Sequence, residues 1–182
     1  MKIKYFTIIS VILCCILISG CGFQLRSKAN FPRELNTVYF TAAKPYSPLS
    51  VQLNDLFQSM GVHIVKSKSN ARFSILISHD NFAYSRPDIV NATLPTSINF
   101  IQSATITIVD NKNNKTIVSR SFSTAQSLTL NANQIYTSNA NDLIQHELNR
   151  EIVSVIYYWL VSKNTKDALN HANIVQTARH AS

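Results

Sequence analysis

"SINFIQSATITIVDNKNNKTIVSRSFSTAQSLTL", residues 97–130, holds two alternating runs around a turn that contains no glycine. In the first run Ile98, Phe100, Ala104, Ile106 and Ile108 share one side, while Asn99, Ser103, Thr105 and Thr107 dominate the other. That period of two is the mark of a half-buried strand. In the second run Val118, Phe122 and Leu128 share a side with Arg120, opposite Ser119, Ser121, Ser123 and Ser127. The "DNKNNK" between them is rich in asparagine, which enters left-handed backbone at lower cost than most side chains, so the two runs read as one long hairpin. Such a hairpin has an apolar face and a hydroxyl face, and the apolar one needs a covering layer.

The flanking sequence supplies that layer. Residues 71–84 alternate again, with Phe73, Ile75 and Ile77 opposite Ser74, Leu76 and Ser78. Residues 35–42 read as another strand, and "KPYSP" then leads into a helix with Ser47 as N-cap and Pro48 at the first helical position. Leu49, Leu53, Leu56, Phe57 and Met60 fall on one face of it, Gly61 ends it, and "VHIVK" gives a short strand. Residues 85–96 carry two prolines and no period, as a loop does. A last helix is expected over about 142–162, with Asn141 as N-cap and Ile144, Leu148, Ile152, Val155 and Trp159 as its core stripe. The expected fold is α+β, a two-layer sandwich of a mixed four- to five-stranded sheet with two helices on one face, spanning residues 35–162. Residues 163–182 read as a flexible polar tail.

The N-terminus has a different character. Lys2 and Lys4 precede an apolar run from Tyr5 to Ile18, followed by the small Ser19 and Gly20. This is the pattern of a secretory signal over residues 1–20, and its apolar run is shorter than the ~20 residues of a spanning helix. Cleavage between Gly20 and Cys21 removes Cys14 and Cys15 and leaves Cys21 as the single cysteine, unable to form an internal disulfide. Residues 21–34 then read as a tether. Loss of Lys2 and Lys4 lowers the net charge from +8 to +6. For an exported chain that excess points to an anionic lipid or glycolipid and not to nucleic acid. Charged residues make up 14% of the chain, against roughly 25% in ordinary domains, and 52 residues are Ser, Thr or Asn. A surface of that kind can be covered without desolvating many ions.

The residues for most chemistry are missing. Three glycines, Gly20, Gly22 and Gly61, cannot build a dinucleotide fingerprint or a phosphate loop. The five histidines, His63, His79, His146, His171 and His180, form no metal-ligand spacing, so no metal is expected. There is no G-x-S-x-G elbow, and Glu147 and Glu151 are simply one turn apart on a helix beside Arg150. The chain is therefore read as a non-enzyme without a cofactor. Candidate anion contacts are Arg86 in the long loop, Lys112 and Lys115 in the hairpin turn, and Arg120 on the strand.

"Ile18-Ser19-Gly20-Cys21" resembles a bacterial lipobox, whose cysteine receives a diacylglycerol thioether and becomes the acylated N-terminus. Two or more acyl chains anchor stably where one does not. Gly22 stands where an aspartate would resemble an inner-membrane retention signal, which implies the outer membrane. The longer "CGFQLR", matched by Cys21, Gly22, Phe23, Leu25 and Arg26, is similar to the start of the LPS-assembly lipoproteins, the LptE family. Softer likeness lies in "SPLSVQLNDLFQSMGV", in "RSF" at Arg120 to Phe122, and in "NANQIYTSNANDLIQHELNREI". The resemblance implies a lipoprotein on the periplasmic side of the outer membrane that plugs and helps assemble the LptD barrel and binds lipopolysaccharide. It implies no cofactor beyond the acyl and diacylglycerol groups on Cys21. Family members use one basic side chain in the loop before the long hairpin, to which Arg86 is nearest, and one ahead of the last helix, where this chain has Thr137 and Ser138. The alternatives are a lipid-anchored accessory subunit of another envelope lipid transporter and a lipid-anchored hydrolase.

Overall fold

The computed structural model describes residues 30–85, 96–130 and 138–180. Cys21, the signal segment and Arg86 lie outside the described residues. The elements are β1 (Thr37–Ala42), α1 (Pro48–Ser59), β2 (His63–Val65), β3 (Phe73–Tyr84), β4 (Thr96–Asp110), β5 (Lys115–Leu130), α2 (Ser138–Leu160) and α3 (Lys163–His180). The five strands form one open mixed sheet in the order β2-β1-β3-β4-β5. β1 runs parallel to both β2 and β3, and β3, β4 and β5 are successively antiparallel. The fold is α+β.

The long hairpin forms with the expected faces. Ile98, Phe100, Ala104, Ile106 and Ile108 are all buried under the helices. Asn114 takes the left-handed backbone of the turn at φ 51°, and Asp110 Oδ1 accepts the Lys112 backbone N–H at 2.9 Å. Two extra residues interrupt the pairing. On β5 Ile108 faces Val118 while Val109 faces Thr116, so Ile117 bulges. On β3 the register slips between Ser78 and Asn81, and His79 sits at φ 52°. A one-residue insertion exchanges the two faces of a strand. Phe73, Ile75 and Ile77 therefore face the helices before the bulge, whereas Asp80 and Phe82 do so after it. Alternation alone does not reveal that switch.

Helix α1 is bounded as its sequence dictates. Ser47 Oγ accepts the Ser50 N–H at 3.1 Å, and Pro48 needs no partner at the first position. At the other end Gly61 is at φ 72°, with Val62 N–H bonded to Phe57 O and Gly61 N–H to Gln58 O. These two bonds satisfy carbonyls that the last helical turn would otherwise leave open. Leu49, Leu53, Leu56 and Phe57 pack into the core that the sheet shares with α2.

Helix α2 starts at Ser138, earlier than the expected cap at Asn141. Ile144, Leu148, Ile152 and Trp159 are buried as the stripe requires, but Val155 is 42% exposed and Ile156 takes its place. At 3.6 residues per turn Val155 belongs to the stripe and Ile156 lies to one side of it, so the buried face of α2 turns along its second half toward Val153, Ile156, Tyr157 and Leu160.

The largest departure concerns the C-terminus. Residues 163–180 form a third helix, so the covering layer is not the two helices expected from sequence, and this stretch is no loose tail. Ser162 accepts the Thr165 N–H, and the Thr165 hydroxyl donates to Trp159 O at 2.8 Å. Leu169 is fully buried in the main core, and Arg72 Nη2 donates to Ala172 O at 3.0 Å. Among the described side chains of α3 one leucine and small residues hold it down, which is too faint a stripe to read as a period. The folded body also begins sooner than residue 35. Phe31 is buried, with its ring 6.4 Å from Phe57, and residues Arg33–Leu35 make a 3-10 turn into β1.

Candidate functional site

Helices cover one side of the sheet and leave the other open. Its surface is built by outward positions of the long hairpin, where Thr105 and Ser121 share a hydrogen bond at 2.8 Å and Thr107 and Ser119 another at 2.8 Å. Farther along, Ser127 Oγ donates to Asn99 Oδ1 at 2.6 Å. These pairs are directly opposed in register, where cross-strand hydroxyls support the sheet. The outward positions of β4 and β5 that carry these pairs hold no charged side chain; Ile101, at 44% exposure, is the large apolar residue among them. Covering such a face removes neutral dipoles that already bond each other, which costs less than stripping ions.

Charge gathers at the turn end of the sheet. The connection from β2 to β3 crosses there, and Lys68 Nζ reaches the turn to donate to Asn114 Oδ1 at 2.9 Å. Asn111 fastens the crossing by donating to Ala71 O at 2.8 Å and accepting from Ser74 Oγ at 2.6 Å. Lys68, Arg72 and Lys112 line a hollow of about 520 Å³ with Asn70, Asn111 and Asn114. Lys115 stands at the start of β5, exposed like Lys112. Arg72 differs from these lysines, because it lies 3.8 Å from the buried Asp110 carboxylate and 5.0 Å above the Phe73 ring. It serves structure more than it serves a ligand.

Of the candidates drawn from sequence, Lys112 and Lys115 are brought together here, and Lys68 and Arg72 join them through the fold. Nothing in the sequence near the hairpin announces those two. Arg120 stands apart, five residues on from Lys115 along β5 and opposite Ile106. It is exposed, and its guanidinium lies 5.4 Å from the centroid of Phe122, whose ring packs edge-on against Trp159. A charge on the apolar side of the strand is accommodated because β5 is the sheet's last strand and the head can reach water.

Among the described residues no group of three His, Cys, Asp or Glu side chains could hold a metal ion. No helix among them is long and apolar enough to cross a membrane. His63 and His79 are exposed, and His146 Nδ1 lies 3.4 Å from Gln52 Nε2 on the surface.

No family model matches the chain, and no curated protein matches it significantly. Solved structures do. The solution structure of uncharacterized lipoprotein B from Nitrosomonas europaea aligns with a TM-score of 0.54 at 15% identity, covering 82% of this chain and 96% of that one. The chain shares that protein's fold. A protein from Helicobacter pylori named neuraminyllactose-binding hemagglutinin homolog aligns at TM-score 0.52 and 12% identity, covering 78% of this chain and 94% of its own. A minor lipoprotein from Acinetobacter baumannii gives 0.46 at 16% identity, over 70% and 88% of the two chains.

Proposed function

We propose that this chain is an outer-membrane lipoprotein, anchored through Cys21, that plugs and helps assemble an LptD barrel and binds lipopolysaccharide on its way to the outer leaflet. The observation that carries the reading is the uncharged, hydroxyl-paired face of the long hairpin, a broad surface that a barrel wall could cover at low desolvation cost. The signal, the lipobox-like "Ile18-Ser19-Gly20-Cys21" and the "CGFQLR" start agree with it, and so does the lipoprotein name of a protein with the same fold. In this reading the chain catalyses no reaction, and Arg86 and Arg120 contact lipopolysaccharide.

A C-terminal tag tests the proposal. From solubilised outer membranes it should recover the LptD barrel with the chain. Recovery of the chain free of any large barrel protein refutes the plug role and favours an accessory subunit of another lipid transporter. Arg86→Ala and Arg120→Ala should each weaken lipopolysaccharide binding, and unchanged binding in both removes those residues from the contact.

A further inference from the structure

The two ends of the sheet are not equivalent with respect to the N-terminus. Phe31 rests on Phe57, whose ring is 5.4 Å from Phe40. Phe40 pairs with Ile75, and Ile75 with Ile108, two residues short of the turn end of β4. The chain thus joins the folded body near the turn. Residues 21 to 31 span at most about 36 Å when fully stretched, while β4 alone, at 15 residues, is about 50 Å long. From that point the tether is long enough for a lipid on Cys21 to lie at the turn end and too short to bring it to the opposite end, where β3 gives out after Tyr84 and β4 starts.

That same end carries the basic excess. Arg33, Lys68, Lys112 and Lys115 are exposed around it, with Arg72 beneath. Facing them are Asp110, buried and spoken for by Arg72, Glu34 beside Arg33, and Asp167 on the helix that passes Lys115. The helical side is different: Asp55, Glu147 and Glu151 line the groove between α1 and α2 with a single cation, Arg150. The molecule therefore presents a positive end to whatever holds its tether and a more acidic flank away from it.

We infer that the turn end, led by Lys68, Lys112 and Lys115, docks on the anionic phospholipid headgroups of the leaflet that holds Cys21. The inference rests on the anchor reading and gives these lysines a membrane role distinct from the lipopolysaccharide contact. Each lysine near such a surface favours the bound state about five-fold, so the three together amount to about a hundred-fold, and salt reduces the effect.

The full chain, purified from membranes, is reconstituted into phosphatidylcholine vesicles with or without phosphatidylglycerol and treated with an amine-reactive label. Lys68, Lys112 and Lys115 should be protected on phosphatidylglycerol vesicles at low salt and labelled at high salt or on phosphatidylcholine alone, with Lys163 labelled throughout. Equal labelling of the three lysines in all conditions overturns the inference, as does protection that appears only when lipopolysaccharide is added. The same digest reports the mass of the Cys21 peptide. An unmodified Cys21 defeats the anchor reading on its own, and vesicle binding by a Cys21→Ser chain then decides the docking. In that background Lys68→Gln, Lys112→Gln and Lys115→Gln combined should lower partitioning about a hundred-fold, against little change for Lys163→Gln. An unaltered partition coefficient overturns it.

Discussion

Replacing Asn149 with leucine should make this protein more stable. Asn149 lies on the buried side of α2, 1% exposed, and neither its amide nitrogen nor its oxygen has a hydrogen-bond partner. It lines a polar hollow of about 310 Å³ with Asp80, on the post-bulge stretch of β3. Asp80 keeps one partner there, Gln102 Nε2 at 2.8 Å, while Asp80 Oδ2 and Gln102 Oε1 have none. Leaving a buried polar group unpaired costs about 1–3 kcal/mol, so two such atoms set an upper bound of about 6 kcal/mol. Water entering a polar hollow of this size offsets part of that cost. Leucine has the same branched outline and number of side-chain heavy atoms, and its bulkier methyl groups extend into the hollow, giving a net gain of about 2 kcal/mol. Urea unfolding of the Cys21→Ser chain measures it as a rise in midpoint at constant slope. The companion Gln102→Leu should do the reverse, losing about 1–3 kcal/mol by stranding Asp80 Oδ1. If Asn149→Leu loses 1 kcal/mol or more, the amide is bonded in the native state and the reasoning fails.

Ser47→Ala removes the cap of α1 and should cost about 1 kcal/mol in the same assay. Gly61→Ala forces a Cβ into left-handed backbone and should cost about 1–2 kcal/mol, read as a lower thermal midpoint. Leu169→Ala should cost about 2–5 kcal/mol; a change below about 0.5 kcal/mol would show that α3 is not part of the core.

The strands and first helix were legible because each writes its own period and punctuation into the sequence. The hairpin faces, the Ser47 cap, Gly61 and the asparagine-rich turn are local signals, and the structure keeps all of them. What escaped was nonlocal. The bulge at His79 looks like ordinary strand sequence, yet it turns Asp80 inward and creates the buried polar cluster. Helix α3 is held by Leu169 and by the bond from Arg72 to Ala172, a partner a hundred positions earlier in the chain. The basic end was half visible, since Lys112 and Lys115 sit in the turn. Lys68 reaches them only because the β2–β3 connection passes over β1.

The open edge of the sheet has a further consequence for how this chain survives before it finds a partner. β5 is sixteen residues long and has β4 on one side and no strand on the other among the described residues. A free edge of about 50 Å can template the extended segments of other molecules, including copies of itself. Arg120, exposed in the first half of that edge, and the bulge at Ile117 interrupt it there, while residues 121–130 run on without a break. A charge and a bulge are the devices that blunt a free edge against such pairing. Valine in place of Arg120 would leave the folded core intact and turn the edge adhesive.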